Sequence, residues 1–329
     1  MMSNEQQPSI HVAPAPHIGS TSLSTRKMMI DVMIGLAPVF AVAVYVFRQY
    51  AVYQAVVCVL SCLLAEAVFA AMRRRWSALF DGSTIITGLI LAFSIPATAP
   101  WYVGLIGSFA AIGIGKAAFG GLGNNLFNPA MVGRAFVMMA FPVLLGAKEG
   151  GYANSQAAVD VVTQATPMTA WKQEHAVTPL ADLFWGTTNG SVGETSAIAC
   201  LLGGLYLCIR RTASWEIPAG TIIAAAAIAG CVNLANPDSQ WTVMHELLGG
   251  ALLFGAFFIA TDPVTSPLTP RGKFIFGLGV GTMVMVLRLL SNYPEGMMFS
   301  ILLLNAVVPL INRWTVPTPV GGPAKGAKK

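Results

Sequence analysis

Long apolar runs follow one another along this chain from about residue 28 to residue 313, and they carry few charges. Charged residues make up 10% of the chain, whereas a soluble protein has roughly a quarter. A helix needs about 20 apolar residues to cross a bilayer core of about 30 Å. Because the runs are continuous and do not alternate with polar residues, a transmembrane barrel is excluded. The sequence therefore predicts an all-α polytopic membrane protein.

We expect about ten transmembrane helices, several of them short. They fall near 28–47, 50–72, 84–97, 100–118, 130–145, 195–209, 217–235, 246–261, 273–291 and 296–313.

The basic residues predict the orientation of these helices. With a cytoplasmic amino terminus, the even-numbered spans all end on the cytoplasmic side at a basic residue or cluster. These are Arg73–Arg75, Lys116, Arg210–Arg211, Arg271 and Arg313. Only Arg48, Lys148 and Lys172 then lie in outer loops. The net charge of +5 thus reflects membrane topology, and we expect no nucleic-acid partner.

The expected spans divide the chain into two sets of five, which an inverted repeat would relate. A short cytoplasmic segment (1–27) precedes the first half (28–145), and a basic cytoplasmic tail (315–329) follows the second half (195–314). The polar loop 146–194 between the halves lies on the outer side. Helix ends at Leu91–Pro96 and Phe257–Pro263 echo one another, so the third and eighth spans would be equivalent.

The cysteines and histidines show no cofactor pattern. The five cysteines lie in apolar runs without a CxxC motif, which favours packing over iron–sulfur ligation or disulfides. The four histidines lack metal-ligand spacing, and no dinucleotide fingerprint is present. We expect no metal site.

Three motifs carry a resemblance to a known family. They are the Gly-rich run Gly115–Ala130, the run Ala260–Pro267, and Tyr293–Met298 together with Asn305. Over residues 11 to 319 the chain resembles the NqrB/RnfD family of redox-driven membrane pumps. The chain length and a short amino terminus with Pro16-His17 favour its RnfD branch.

A Thr-x-Ala-Thr motif, Thr163-Gln164-Ala165-Thr166, lies in the polar loop. A threonine hydroxyl there is a nucleophile that a transferase can reach, although an ordinary loop threonine before Pro167 is the alternative. The resemblance implies that the last threonine, Thr166, carries FMN through a phosphoester installed from FAD by a flavin transferase. Thr163 and Ala165 complete the recognition motif, while Gln164 stands where the family often has glycine.

Arg288 lies near the outer end of the ninth expected span. A buried cation there could stabilise the FMN phosphate or the reduced flavin. A salt bridge with Glu295, or a side chain that snorkels to the interface, is an equal alternative.

The Gly120–Pro129 loop is a second candidate site. Its glycines allow close backbone approach, and the amides of Asn124, Asn125 and Asn128 suit the pyrimidine edge of a flavin. The resemblance implies a noncovalent riboflavin near the cytoplasmic side. Tight helix packing through small residues is the alternative.

These expectations describe an enzyme subunit of an ion-translocating oxidoreductase that is not self-sufficient. The resemblance implies that it carries electrons in an Rnf-type complex of the bacterial inner membrane, which connects ferredoxin and NAD and couples this electron transfer to Na⁺ or H⁺ translocation. Its partners would be iron–sulfur and flavin subunits, the flavin transferase and the lipid bilayer. A channel-like or secondary solute transporter of the same architecture, or a structural anchor for redox partners, would also fit the inverted repeat.

Overall fold

The computed structural model describes residues 24–74, 76, 79, 81–145, 166–237, 239–291 and 295–317. Regular structure within these ranges is helical, and the one β-type pairing there is an isolated bridge between Pro96 and Ser191. The all-α prediction is confirmed. Thr163 and Ala165 lie outside the described residues, as do most of segments 1–27 and 315–329.

The helices before residue 146 are α1 (Thr25–Phe47), α2 (Gln49–Arg73), α3 (Ser83–Ser94), α4 (Trp101–Ala110), α5 (Pro129–Ala140) and α6 (Pro142–Leu145). Those after residue 165 are α7 (Pro167–Glu174), α8 (Leu180–Trp185), α9 (Ala197–Ile209), α10 (Glu216–Ala235), α11 (Val243–Leu248), α12 (Leu252–Phe254), α13 (Pro270–Leu290) and α14 (Met297–Thr315). Two of them continue as wider π-helical segments, α4 through Ala111–Ala117 and α12 through Gly255–Ile259.

Five of these helices, α1, α2, α10, α13 and α14, are long and apolar enough to cross a membrane by length and composition. Shorter apolar helices of 10–17 residues are α3, α4 with its π-helical segment, α5 and α9. A multi-pass helical membrane protein is therefore confirmed. The number of ten spans stays a prediction.

Local sequence sets several helix starts. The Ser24 hydroxyl accepts a hydrogen bond from the Lys27 backbone N–H and so caps α1. Asn128 caps α5 in the same way, and Pro129 follows at the first helical position, where its missing N–H costs nothing. These caps place the Gly-rich loop directly before α5.

The expected continuous helix over 246–261 is broken in the structure. Gly249 is extended, and Gly250 has a φ of +69°, so the chain turns between α11 and α12. A Cβ atom at Gly250 would collide with the Glu295 carboxylate, which occupies the space beside the turn. The expected span 130–145 is likewise interrupted, at Phe141 between α5 and α6.

The two halves of the chain use similar helix contacts. In the first half α2 packs against α3 and α4, and in the second α10 packs against α13 and the π-helical segment Gly255–Ile259. The halves meet where α1 packs against α9 and α5 against α14. Backbones approach closely at Gly203 and at Gly277, where an added Cβ would strike a carbonyl oxygen of the neighbouring helix.

Candidate functional site

Helix α13 separates two ends of the molecule. Near its start, the Lys273 ammonium donates a hydrogen bond to the Ser214 hydroxyl. Near its other end lies Arg288, about 22 Å away at about 1.5 Å per helical residue. We name the first end the cavity end and the second the Thr166 end, after the features described next.

The cavity end contains a cavity between the two halves of the chain. Its polar lining residues are Ser83, Thr87, Lys116, Asn125, Asn128, Thr212, Thr261 and Asp262. Its apolar lining includes Met29, Val32, Ile90, Leu122, Leu207 and Phe258. A ligand here would meet hydrogen-bonding groups together with several apolar surfaces.

Lys116 belongs to a buried polar network in the cavity wall. Its ammonium donates to Glu66 Oε2 at 3.0 Å, to Ser83 Oγ at 3.0 Å and to Thr84 Oγ1 at 3.3 Å. The Asp81 carboxylate lies 3.6 Å away, and the Lys116 side chain is only 2% exposed. The three N–H groups of the ammonium thus each have an acceptor. Sequence reasoning treated this lysine only as a topology signal, although a single lysine within an apolar run is a functional hint.

The three asparagines of the Gly-rich loop have different surroundings. Asn124 is exposed and does not line the cavity, whereas Asn125 and Asn128 are buried in its wall. The Asn128 amide donates to the Ile259 carbonyl at 3.3 Å and accepts from the Met131 N–H at 3.3 Å. The Asn125 Oδ1 atom is buried with no hydrogen-bond partner among the described residues. That oxygen therefore lacks the donor that a buried acceptor normally has.

The glycines of this loop do two things. Gly120, Gly121 and Gly123 have φ values of 111°, 110° and 94°, which other residues rarely adopt. Gly115 lies so close to Pro129 that an added Cβ would be 2.7 Å from its Cα atom. The packing role weighed from the sequence is thus present, and it coexists with the cavity.

The donors, acceptors and apolar surfaces of this cavity of about 90 Å³ match in kind what part of a flavin ring needs, namely apolar contact on its faces and hydrogen bonds at its pyrimidine edge. The unpartnered Asn125 oxygen suits a ring N–H donor. In the described parts of the chain, no group of three Asp, Glu, His or Cys side chains is placed to hold a metal ion.

Thr166 caps the amino-terminal end of α7. Its Oγ1 atom accepts a hydrogen bond from the Thr169 N–H at 3.3 Å and lies 2.9 Å from the Thr169 hydroxyl. The residue is only half-buried, so its hydroxyl lies at the edge of the fold. The helix dipole makes this end of α7 favourable for a phosphate, although Pro167 has no N–H and the N–H groups of Thr169 and Ala170 already bind Thr166.

Aromatic and polar contacts hold α7 against the rest of the protein. Trp171 stacks on Trp241 with ring centroids 5.2 Å apart, and Trp241 packs on His245 at 4.9 Å. The Lys172 ammonium donates to the Ser291 carbonyl at 3.0 Å. Since His245 belongs to α11 and Ser291 follows α13, the position of Thr166 depends on the ends of both helices. The Trp241 contact was not foreseen from the sequence.

Arg288 lies beneath these contacts, in a buried charged cluster. Its guanidinium donates to Glu246 Oε2 at 2.9 Å, to the Gly249 carbonyl at 2.9 Å and to Glu295 Oε1 at 3.5 Å. With a side chain only 1% exposed, Arg288 does not snorkel. The alternative of a salt bridge with Glu295 is present, and only Nε lacks a partner among the described residues.

Arg134 and Glu194 form another ion pair, with 3.3 Å between Arg134 Nη1 and Glu194 Oε1. The charges of both residues act on Glu295 of this cluster. Burial raises the pKa of the Glu295 carboxyl to about 7, even though the positive charge of Arg288 lowers it. Glu295 Oε2 has no partner among the described residues. The cluster therefore contains a carboxyl group that titrates near neutral pH.

Comparisons with known proteins cover nearly the whole chain. A family model described as the NQR2, RnfD, RnfE family matches residues 11–321. The D subunit of the Na(+)-translocating ferredoxin:NAD(+) oxidoreductase complex of Acetobacterium woodii is 40% identical, with 92% of this chain and 93% of the relative covered.

Two other relatives are similar over a comparable length. The D subunit of the proton-translocating ferredoxin:NAD(+) oxidoreductase complex of Clostridium ljungdahlii is 38% identical over 94% of this chain and 96% of its own. The D subunit of the ion-translocating oxidoreductase complex of Stutzerimonas stutzeri is 37% identical over 92% of this chain and 94% of its own. With a family match from residue 11 to 321 and relatives similar along their whole length, the chain belongs to the NQR2, RnfD, RnfE family.

Proposed function

We propose that this protein is the D subunit of an Rnf-type, ion-translocating ferredoxin:NAD⁺ oxidoreductase complex. The observation that carries this conclusion is the full-length similarity to relatives that are each named as the D subunit of an ion-translocating oxidoreductase complex. As one subunit of an oxidoreductase, it works together with the other subunits of that complex. Iron–sulfur and flavin subunits would exchange electrons with ferredoxin and NAD, and this chain would carry electrons inside the membrane.

The electron carrier at the Thr166 end is FMN in a phosphoester with Thr166. A flavin transferase would direct the Thr166 oxygen onto the FMN phosphorus of FAD, so that a new P–O bond forms and AMP leaves. Two features support this site: the hydroxyl is only half-buried, and the amino-terminal end of α7 favours the phosphate charge. Arg288 would stabilise this site through the cluster that supports α7, because most of its donors are already used.

The carrier at the cavity end is a noncovalent riboflavin. Asn125 would accept from the ring edge, and the Asn128 amide, bonded on both sides, would fix the wall beside it. The apolar side chains of the cavity, among them Phe258, would contact the ring faces. Two flavins at opposite ends would give electrons a route along the bundle.

We propose ten spans in two inverted halves, with the cavity end cytoplasmic and the Thr166 loop on the outer face of the inner membrane. The similar helix contacts of the two halves support the repeat. Both described chain ends lie at the cavity end, since Met28 lines the cavity and Thr315 lies beside the start of α13. Cytoplasmic termini agree with the basic residues near the cavity end.

The competing function is a channel-like or secondary transporter, which the cavity between the two halves would also suit. In-gel flavin fluorescence after denaturation distinguishes the two. We expect a fluorescent band from cells that contain the transferase, and a mass increase of one FMN on the intact protein. A dark, unmodified band from such cells would contradict the carrier function.

Substitution then locates the attachment. Thr166→Ala should lose the FMN adduct, while Thr178→Ala, at a half-buried threonine of the same loop outside the Ala-Thr context, should keep it. An adduct that persists in Thr166→Ala would assign the flavin to another residue.

A further inference from the structure

We propose that Lys116 is a redox-tuning residue of the cavity: its buried ammonium stabilises the reduced, negatively charged form of a bound flavin relative to the oxidised form. This inference rests on the proposed function, because it requires a flavin in the cavity. Lys116 would act by its charge, as a positioning and electrostatic group, and would not exchange electrons itself.

Lys116 lines the cavity, whereas its carboxylate partners Glu66 and Asp81 do not. Of the three charged residues of this network, Lys116 is therefore the one at the cavity. The side chain is 2% exposed, so water does little to screen it.

Hydrogen bonds hold the Lys116 ammonium in place. Acceptors from two different helices, Glu66 of α2 and both Ser83 and Thr84 of α3, bind its N–H groups. The lysine itself belongs to the π-helical segment of α4, a type of turn that is frequent at functional sites. Acceptors on α2 and α3 therefore keep the ammonium in place when the charge of a ligand changes.

A carboxylate also lies in the cavity lining. Asp262 is the one carboxylate among its lining residues, and it accepts hydrogen bonds from the Val264 N–H and the Thr265 hydroxyl. A flavin that gains two electrons carries its negative charge on the pyrimidine ring, where a nearby cation favours reduction. Without Lys116, the Asp262 carboxylate in the cavity wall and the Glu66 and Asp81 carboxylates behind it would act on that charge without this compensating cation.

A lysine that only neutralises Glu66 would also be buried and hydrogen-bonded, so the test must report on the flavin. We would purify the whole complex with Lys116→Gln, Lys116→Arg or Glu66→Gln, extract and quantify riboflavin, and measure the midpoint potential of the noncovalent flavin by spectroelectrochemical titration. Lys273→Gln is the control, because Lys273 is at the same end but does not line the cavity.

We expect Lys116→Gln to retain flavin. Its preference for the reduced over the oxidised flavin should fall at least tenfold, which lowers the midpoint potential by about 30 mV for a two-electron couple. Lys116→Arg should restore most of the potential, and Glu66→Gln should raise it because the cation loses its counter-charge. Lys273→Gln should match the wild type.

The outcomes separate this inference from the proposed function. A wild-type complex without extractable riboflavin would overturn the proposed cavity flavin itself. Flavin retained in Lys116→Gln at an unchanged potential would overturn the tuning role alone. If Lys116→Gln does not assemble, Glu66→Gln decides the matter, since an unchanged or lowered potential there contradicts the inference.

Discussion

The cavity end and the Thr166 end share one arrangement of charges and use it differently. Each has a buried cation near the end of a helix, Lys116 after α4 and Arg288 in α13. Each cation binds a carboxylate that lies before a short helix of the same half, Asp81 before α3 and Glu246 before α12. The inverted repeat proposed above would make these positions equivalent.

The difference lies in what surrounds each cation. Lys116 faces a cavity, whereas Arg288 is enclosed by carboxylates and by the Glu246 and Gly249 carbonyls. The flat guanidinium has five N–H donors, so it can bind two carboxylates together with the backbone carbonyls at the turn between α11 and α12. An ammonium, which has three donors, cannot do this. One charge pattern therefore serves a ligand cavity at one end of the protein and supports a surface helix at the other.

The largest expected effect is on folding at the Thr166 end. Arg288→Ala would leave the buried Glu246 carboxylate and the half-buried Glu295 carboxylate without their cation, at a cost of about 3–5 kcal/mol. Thermal unfolding of the purified protein in detergent measures this loss, and Arg313→Ala is a suitable control because Arg313 is exposed. An unchanged unfolding temperature in Arg288→Ala would show that this cluster does not support the structure.

The pH dependence of stability should also come from the Thr166 end. The Glu295 carboxyl has an ordinary pKa of 4.5 that burial raises to about 7. The folded protein then binds more protons than the unfolded chain between these values, so the stability it contributes falls as pH rises from about 4.5 through about 7.

Glu295→Gln should remove that fall in stability. The unfolding temperature of the variant minus that of the wild type should therefore be larger at pH 8 than at pH 5.5. Unfolding temperatures at both pH values test this, with the exposed Glu174→Gln as control. Parallel pH profiles of Glu295→Gln and the wild type would refute the assignment to Glu295.

A smaller effect is expected on ligand binding at the cavity end. Asn125→Leu removes the unpartnered amide oxygen, and the loss of one hydrogen bond, about 1 kcal/mol, should weaken flavin retention several-fold. Asn124→Leu, one residue earlier but exposed and outside the cavity, should retain flavin normally. Extractable riboflavin per complex is the measurement. Equal losses in both variants would indicate a general disturbance of the loop.

The smallest effect concerns the contact that holds α7. Trp171→Leu removes the stack on Trp241, which contributes about 0.5–1.5 kcal/mol beyond the buried area. We expect faster proteolysis near α7 with little change in global unfolding. Trp185→Leu, at a tryptophan that is 63% exposed, should digest at the wild-type rate. Identical digestion of the two variants would show that the stack does not hold α7.

Features that depend on local sequence were predictable, such as the apolar helices and the Asn128 cap before Pro129. Of the predicted asparagines, Asn125 and Asn128 line the cavity and Asn124 does not, which the amide chemistry alone could not distinguish. Distant contacts were missed. Lys116 binds Glu66 from fifty residues away, and the turn at Gly250 depends on Glu295 from a later loop. Sequence periodicity contains no information on such pairs.

We propose that the two ends of the protein hold two flavins in different ways. The flavin content of the purified complex tests this, with flavin bound to this protein separated into covalent and extractable pools for the wild type and Thr166→Ala. We predict one covalent FMN and one extractable riboflavin per copy of the chain, with only the covalent pool lost in Thr166→Ala. A wild-type chain without covalent flavin, or a variant that keeps it, would contradict the account.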